Sequence, residues 1–351
     1  MRNDRIILIG KYGDNPNVGP ENVMRCMEKQ FIKEQINYKL CIYNDGDSKI
    51  LYIFKLMKCI LKSKKTIINV HTNGFLITLL VYYLSFFNSL NRYYLTIHGI
   101  YRTDSFMSGT QNKFYILLER YLYTRFPNLI CVSEMLKEDI KKIYKREKNI
   151  YVIPNATDAY SDISKKKIDY PKDCFKFIML GGLKNIKGIK ETIKLCEFLY
   201  KKNLNFNLDI YGFKENNYEW FCREIKRLKL EKYVHYKGRL NDKELVYHLI
   251  ADADFQVCLS HYDTFNVAVA ESLVLGCPCI SSDRCGSAYL IKNGYNGIIV
   301  EMDKNDCYEK IYQYIDSFIK DPNKRINIFN NKHDYEEKLS WHTVCNKYIN
   351  L

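Results

Sequence analysis

The chain has 351 residues, of which 54 are Lys or Arg and 40 are Asp or Glu, giving a net charge of +14. Hydrophobic residues make up 47% and aromatic residues 14%, which excludes a disordered chain and provides for two domains with separate cores. No uncharged apolar run reaches the roughly 18 to 20 residues of a spanning helix, so we expect a soluble or peripheral protein. The longest run, over residues 75–90, predicts a buried helix.

The N-terminal sequence and the cysteines predict a cytoplasmic protein. The first apolar stretch ends at Gly10 and is too short for a signal peptide. The thirteen cysteines include no CxxC pair, which predicts reduced thiols in the core. Cys277, Cys279 and Cys285 lie close in sequence, but they lack the spacing of a zinc site and a nearby histidine.

Positive charge is concentrated in the first half of the chain. Residues 1–150 hold 24 Lys and Arg against 13 Asp and Glu, whereas residues 151–351 hold 30 against 27. A solvated basic face is one explanation, and attraction to an anionic membrane surface or a phosphate-bearing substrate is the other. Residues 51–65 show the same ambiguity, because four lysines lie at helical spacing beside apolar residues, namely Lys55, Lys58, Lys62 and Lys65.

Short apolar strands alternate with helical segments along the first half of the chain. Strands are predicted over residues 5–10, 38–43, 66–70, 93–98 and 128–132. Helices are predicted over residues 21–34, 51–61, 75–88, 111–125 and 133–142. Nearly every strand is followed by a helix, which is typical of a parallel sheet with crossover helices.

The same alternation restarts after a polar stretch over residues 158–172. Strands are predicted over residues 176–180, 207–211, 234–237, 254–259, 279–281 and 297–300, and helices over 188–201, 220–229, 242–250, 267–275 and 307–319. The sequence therefore predicts an α/β protein with two Rossmann-like domains that face each other across a cleft. A ligand is expected at the carboxyl ends of the strands.

One group of polar residues lies where a second-half strand passes into a helix. Asp263 precedes a helix predicted to begin near Asn266, and Glu271 lies eight residues after Asp263. The first amides of such a helix bind phosphate well, and a glutamate on it accepts hydrogen bonds from ribose hydroxyls. An acidic helix start and a solvated glutamate explain the same pattern without a ligand.

A second group lies in a glycine-bearing turn directly after the strand at 176–180. Gly181 and Gly182 form this turn, and Lys187 and Gly188 follow at the opening of the next helix. Close backbone approach and an ammonium group suit a diphosphate leaving group, which gains negative charge as the sugar bond breaks. A surface lysine is the alternative interpretation of Lys187.

With their neighbours, these residues resemble the retaining glycosyltransferases of family four, which are nucleotide-sugar enzymes of the GT-B fold. The resemblance covers nearly the whole chain. It runs through NVGPEN at 17–22, TIHG at 96–99, CVSE at 131–134, VIPNA at 152–156, the turn at 183–188, IYG at 210–212, YKG at 236–238, residues 263–271, the glycines at 294 and 297, and SW at 340–341.

The resemblance implies different roles for the two domains. Residues 1–157 are expected to form the acceptor-side domain and residues 171–335 the nucleotide-sugar-binding domain. Residues 336–351 are expected to form a helix that crosses back to the N-terminal domain.

The resemblance also implies roles for individual residues. Glu271 binds the ribose, Lys187 neutralises the diphosphate, and Asp263 and His98 contact the donor sugar near the reacting centre. The remaining donor-binding positions lie in loops: Gly19, Gly182, Lys184, Arg239, Leu240, Phe265, Asn266 and Val267. The sequence departs from the family in having Asp263 where glutamate is usual and Gly182 where a phosphate-binding arginine is usual, with Lys184 as a nearby replacement cation.

Two DxD patterns, at 45–47 and 252–254, are compatible with a divalent cation on the diphosphate. Because Lys187 and helix amides are available for the same charge, we expect no required metal and no other cofactor. The absence of GxSxG, HExxH and a full P-loop excludes the common hydrolase, zinc-protease and nucleoside-triphosphatase motifs.

The expected function is transfer of a sugar, with retention, from a UDP- or GDP-sugar to an acceptor hydroxyl on a glycan or a lipid-linked glycan. The setting would be surface polysaccharide or lipid-linked glycan biosynthesis, on the inner face of a membrane. A nucleotide-sugar epimerase of the same fold and a non-catalytic basic binding protein are the alternatives. Nucleic acid is not an expected partner, because the aromatic residues follow core periodicity.

Overall fold

The computed structural model describes residues 5–12, 19–44, 46–71, 74–159, 163, 174–321 and 323–351. It divides the chain into two units. The first comprises Met1–Ala156 together with Ser340–Leu351, and the second comprises Thr157–Leu339.

The first unit contains one six-stranded sheet and its connecting helices. In chain order the elements are β1 (Ile6–Tyr12), α1 (Gly19–Lys33), β2 (Tyr38–Asn44), α2 (Lys49–Lys62), β3 (Ile67–His71), α3 (Phe75–Phe87), β4 (Arg92–Ile97), α4 (Tyr101–Ser108), α5 (Lys113–Arg125), β5 (Asn128–Cys131), α6 (Glu134–Tyr144) and β6 (Ile150–Val152). The strand order is β2-β1-β3-β4-β5-β6, and every pairing is parallel.

The central strands of this sheet are buried on both faces, which explains their unbroken apolar runs. Ile6, Leu8 and Ile67 belong to a core shared with Met27 and Phe31 of α1. Because all strands are parallel, their carboxyl ends lie at one edge of the sheet. His71 and His98 lie at that edge, at the ends of β3 and β4.

The second unit repeats this architecture. Its elements are β7 (Phe175–Met179), α7 (Ile189–Lys201), β8 (Phe206–Tyr211), α8 (Tyr218–Arg227), β9 (Val234–Gly238), α9 (Lys243–Asp252), β10 (Phe255–Cys258), α10 (Val267–Val274), β11 (Cys279–Ser282), β12 (Gly297–Val300), α11 (Cys307–Lys320), α12 (Asn323–Asn330) and α13 (His333–Lys338). The strand order is β12-β11-β10-β7-β8-β9, again all parallel. The predicted α/β class with two parallel sheets is confirmed.

The last helix, α14 (Trp341–Ile349), belongs to the first unit. Its apolar residues Val344 and Tyr348 pack in the same core as Met27 of α1. His342 Nδ1 lies 2.5 Å from a carboxylate oxygen of Glu34, which adds a polar contact beside that core. The second unit ends at Leu339, so the boundary expected at 335 falls inside α13.

Several elements were not predicted from the sequence. The strand β6 has only three residues, and α4 is an eight-residue helix with a weak apolar pattern, so neither has a clear period. α12 and α13 are similarly short and polar. Residues 17 and 18 of the first glycine loop, Asp45, and most of the linker over 158–172 lie outside the described residues.

The buried helix expected over residues 75–90 is buried on one side only. α3 buries one face through Thr78, Val81 and Leu84, but Leu76 and Phe87 are exposed. The reason is that the helix covers the sheet on one side only, while its sequence is apolar all round. Among the described residues, no helix combines the length and the apolar character that a membrane span requires.

Candidate active site

The carboxyl edge of the second sheet gathers the predicted donor-binding residues of the second unit. The loop after β7 carries Gly182 and Lys187, the loop after β9 carries Arg239, and the loop after β10 carries Asp263. A small cavity opens at this edge between Gly181, Lys187 and Ser260. This is the position at which open α/β sheets bind ligands.

The turn after β7 is built on close backbone contact. Gly182 has a φ of +63°, and a Cβ at this position would lie 2.5 Å from the carbonyl oxygen of Phe213. Its amide donates to the carbonyl of Tyr211 at 2.9 Å, and the amide of Leu183 donates to that of Phe213 at 2.9 Å. A side chain at position 182 would therefore collide with the neighbouring loop, so this backbone does not accommodate an arginine there.

Lys187 and Asp263 form an ion pair, although they are 76 residues apart in sequence. Nζ of Lys187 lies 2.6 Å from Oδ2 of Asp263. Burial alone would lower the pKa of Lys187, but the charge of Asp263 and its hydrogen bond outweigh that effect and raise the pKa. Lys187 therefore carries a positive charge in the lining of the cavity.

Asn266 connects this ion pair to the start of α10. Its Nδ2 donates to Oδ2 of Asp263 at 2.9 Å, and its Oδ1 accepts from the amide of Val269 at 3.2 Å as the helix cap. Within the described part of the chain, the amides of Val267 and Ala268 donate no hydrogen bond. The positive end of α10 thus lies beside Lys187, an arrangement suited to an anion.

Glu271 lies one turn further along α10 and is buried, with 8% of its surface exposed. Burial raises the pKa of its carboxyl group to about 7, against which the charge of Lys243 acts only weakly. Its side chain has no hydrogen-bond or ion-pair partner among the described residues. A buried carboxylate without a partner is costly, and hydroxyl donors of a ligand would compensate it.

Two cations flank the exposed ring of Phe213, which follows β8. Nζ of Lys184 lies 5.2 Å from the ring centre and Cζ of Arg239 lies 4.7 Å from it. Lys184 also pairs with Glu215 at 2.9 Å, whereas the described residues supply no carboxylate partner for Arg239. Of the two cations near position 182, Arg239 therefore has fewer described partners than Lys184.

The other predicted donor-binding residues of this unit differ mainly in their exposure. Leu240 is partly exposed directly after Arg239. Phe265 is buried, and Val267 is exposed at the first turn of α10.

In the first unit, the predicted residue His98 has a partner, His71, that was not among the predicted site residues. Nε2 of His98 lies 3.0 Å from Nδ1 of His71, and the two rings stack with their centres 5.3 Å apart. Burial lowers the pKa of His98 to about 4, and burial together with the neighbouring His98 lowers the pKa of His71 well below its usual value. Both imidazoles are therefore neutral at neutral pH.

His71 is completely buried, and its Nε2 makes no hydrogen bond with any residue that the structure describes. A proton on that nitrogen would be an unpaired buried donor, which costs about 1–3 kcal/mol. The favoured tautomer carries its proton on Nδ1 and donates it to His98. Gly19, the other predicted residue of this unit, begins α1, and a Cβ there would meet nothing within 4 Å.

In the described part of the chain, one carboxylate of each DxD pattern accepts a hydrogen bond from the backbone, and Asp45 lies outside the described residues. Oδ2 of Asp254 accepts from the amide of Lys176 at 2.8 Å inside the sheet, which leaves that carboxylate a structural role. In the other pattern, Oδ2 of Asp47 accepts from the amide of Asn44 at 2.9 Å. Among the residues described, no three His, Cys, Asp or Glu side chains come together as a metal site.

Two family models match the chain. The model described as Glycosyltransferase Family 4 matches residues 19–160, and the model described as Glycosyl transferases group 1 matches residues 161–334. The chain is also similar to the UDP-Gal:alpha-D-GlcNAc-diphosphoundecaprenol alpha-1,3-galactosyltransferase of Escherichia coli. The two are 25% identical over 224 residues, which are 61% of this chain and 57% of the relative.

Glycogen synthase of Mycobacterium tuberculosis is 24% identical over 208 residues, which are 58% of this chain and 49% of the relative. The chain thus spans about half the length of the curated relatives it matches. The crystal structure of Anabaena HepE in complex with UDP and glucose has a TM-score of 0.73 to this chain, at 16% identity over 97% of both chains. With a GT-B fold and matches spanning residues 19–334, the chain belongs to the family-four glycosyltransferases.

Proposed function

We propose that this protein transfers a sugar from a nucleoside-diphosphate sugar to an acceptor hydroxyl, using the carboxyl edge of its second sheet to bind the donor. The observation that carries the proposal is the combination of Lys187, the unpaired amides of α10 and the buried carboxylate of Glu271. Cation and amides suit a diphosphate, and the carboxylate suits two adjacent ribose hydroxyls.

The ion pair leaves binding capacity for a ligand on both partners. An ammonium has three N–H donors, and Asp263 uses one of those on Lys187. On Asp263, Oδ2 accepts from Lys187 and Asn266, while Oδ1 has no partner among the described residues. In the proposed complex Lys187 donates to a phosphate oxygen, and Oδ1 of Asp263 accepts from a hydroxyl of the donor sugar.

The proposed reaction proceeds with retention at the anomeric carbon. The bond between that carbon and the phosphate oxygen breaks, the bond to the acceptor oxygen forms on the same face, and the departing phosphate takes the acceptor proton. Lys187 and the start of α10 stabilise the charge that develops on the phosphate. No protein side chain acts as the base, and no metal ion is required.

The histidines of the first unit are proposed to act on the sugar without carrying charge. Because its pKa is about 4, His98 is neutral at neutral pH and forms ordinary hydrogen bonds with sugar hydroxyls. His71 is a positioning residue, since its bond to His98 fixes the ring orientation and the tautomer.

We propose a hexose as the transferred sugar, UDP or GDP as the nucleotide, and a lipid-linked glycan as the acceptor, on the cytoplasmic face of a membrane. The names of two relatives support the choice of donor and acceptor. The Escherichia coli galactosyltransferase is named for UDP-Gal and a diphosphoundecaprenol-linked acceptor, and a mannosyltransferase of Xanthomonas oryzae for GDP-mannose and a diphosphopolyprenol-linked acceptor.

Donor binding tests the proposal directly. UDP, GDP, UDP-glucose, UDP-galactose and GDP-mannose are titrated into the full chain by calorimetry, alongside Glu271→Ala and the exposed control Glu231→Ala. The proposal expects at least one nucleotide sugar to bind, with the Glu271 variant weakened and the control unchanged. Binding that is insensitive to Glu271 would place the donor elsewhere and overturn the assignment.

A further inference from the structure

The first unit carries an exposed apolar face on α3 and α5, here called the α3–α5 face. Its residues are Leu76, Tyr83, Phe87, Phe114, Leu117 and Tyr121. On α3 they recur at positions 76, 83 and 87, and on α5 at 114, 117 and 121, which places each set on one side of its helix. Phe87 is 79% exposed and Leu117 65% exposed, values typical of polar surface residues.

The two helices form one continuous surface. The hydroxyls of Tyr83 and Tyr121 lie 3.5 Å apart, and the ring of Tyr121 packs edge-on against Tyr82 at 5.8 Å. At the other end, the rings of Phe75 and Tyr115 lie 6.0 Å apart. In the described part of the second unit, exposed large apolar residues are instead scattered over different elements. A contiguous patch of this kind marks an interaction site.

Positive charge surrounds this face. Residues 49–125, which include α2 to α5, hold 11 Lys and Arg against 2 Asp and Glu. One of the two acidic residues, Glu119, is buried and accepts from the amide of Arg102 and the hydroxyl of Tyr144. The rest of residues 1–150 hold 13 basic and 11 acidic residues, so nearly all the charge excess of the first half lies in this segment.

The helix α2, which contacts α3, contributes much of this charge. Lys55, Lys58 and Lys62 are exposed on it beside the exposed apolar residues Phe54 and Leu61. The combination of exposed aromatic rings and flanking lysines is typical of a surface that rests in the interfacial layer of an anionic bilayer.

We propose that the α3–α5 face docks on the surface of an anionic lipid membrane, with its rings in the headgroup layer and the lysines of α2 against the lipid phosphates. A second copy of this chain fits the face less well, because an isologous contact would bring two strongly basic rims together. The inference goes beyond sugar transfer and does not depend on which donor binds the second unit.

Vesicle flotation of the full chain tests the inference. Vesicles of phosphatidylcholine alone are compared with vesicles containing phosphatidylglycerol, at low and at high salt. We expect binding to the anionic vesicles only, weakened by salt. Absence of binding, or equal binding to neutral vesicles, would overturn the proposal.

Two variants separate the contributions of the rings and the charges. The double variant Phe87→Ser with Leu117→Ser should lose at least about tenfold in vesicle affinity, because each side chain buries apolar area in the headgroup layer. The triple variant Lys55→Gln, Lys58→Gln and Lys62→Gln should lose on the order of a hundredfold, about fivefold for each lysine near the surface. Unchanged binding of either variant would contradict the docking geometry.

Matched controls lie in the second unit. Tyr289→Ser with Ile319→Ser alters two other exposed apolar residues, and Lys226→Gln, Lys229→Gln and Lys232→Gln alter three other exposed lysines. Both controls should bind vesicles as the unmodified protein does.

Sedimentation velocity completes the test. A dimer that the Phe87 and Leu117 variant converts to a monomer would show that a second copy covers the face, and would overturn membrane docking. Nucleotide binding in solution, measured on the same variants, should stay unchanged. Vesicle binding thus tests membrane docking alone, and nucleotide binding tests the proposed function alone.

Discussion

Replacing Glu271 by glutamine should stabilise the ligand-free protein above neutral pH and at the same time weaken nucleotide binding. The carboxyl group is buried, and its pKa is raised from 4.5 to about 7. An unfolded chain releases this proton near 4.5, whereas the folded chain holds it until about 7. Stability therefore falls as the pH rises across this window and is lowest above it.

The expected magnitude follows from the size of the shift. At about 1.36 kcal/mol for each pKa unit, the ionised carboxylate of Glu271 costs the folded state about 3 kcal/mol above pH 7. Glutamine is neutral at every pH and nearly isosteric. The variant should gain most of this free energy at pH 8 and almost none at pH 4, where both carboxyl and amide are neutral.

Urea denaturation at pH 4, 6 and 8 measures this gain, with the exposed Glu231→Gln as the matched control. In the same preparations, nucleotide affinity should fall by about 1.5–3 kcal/mol in the Glu271 variant, because charge-assisted hydrogen bonds to ribose are lost. The affinity of the unmodified protein should rise from pH 6 to pH 8 as the carboxylate ionises. A Glu271→Gln variant that is less stable at pH 8 would refute the reasoning, since the carboxylate would then have stabilising partners.

Lys187→Ala should lower turnover by a hundredfold or more while changing donor affinity much less, because the phosphate gains its charge in the transition state. Stopped assays measure turnover and calorimetry measures donor affinity, with Lys194→Ala as the control. In urea titrations, Gly182→Ala should destabilise the protein more than Gly294→Ala does. Both glycines have positive φ, but only at position 182 would a Cβ meet the backbone, 2.5 Å from the carbonyl oxygen of Phe213. His71→Phe should reduce kcat without changing donor Kd, and His71→Gln, which keeps an N–H donor, should recover part of the loss. Excess EDTA should leave turnover nearly intact, and a loss restored by Mn²⁺ or Mg²⁺ would instead support a metal-dependent reaction.

The regular parts of the fold were predictable because each buried strand is a short apolar run and each amphipathic helix has a clear period in the sequence. The helix start at Asn266 was predictable for a related reason, since a capping residue preceded an apolar run. The strand β6 was not predictable because it has only three residues, and α4 was not predictable because its apolar pattern is weak.

The pairings at the site needed the folded chain. Lys187 and Asp263 are 76 residues apart, and His71 and His98 are 27 apart, so only the alignment of neighbouring parallel strands brings them together. The clash that forbids an arginine at position 182 likewise arises from the loop after β8. A sequence signal for His71 did exist, because His71 ends a buried strand that pairs with the strand ending directly before His98.

The most direct test of sugar transfer follows a radiolabelled sugar from nucleotide to acceptor. The full chain is incubated with the nucleotide sugar that binds most tightly and with a total lipid extract of Escherichia coli membranes, and both lipid-phase label and free nucleotide are measured. We predict label in the lipid phase and matching nucleotide release, each reduced a hundredfold or more by Lys187→Ala. Conversion of the nucleotide sugar to an epimer without lipid labelling, or transfer that survives loss of Lys187, would contradict the proposed reaction.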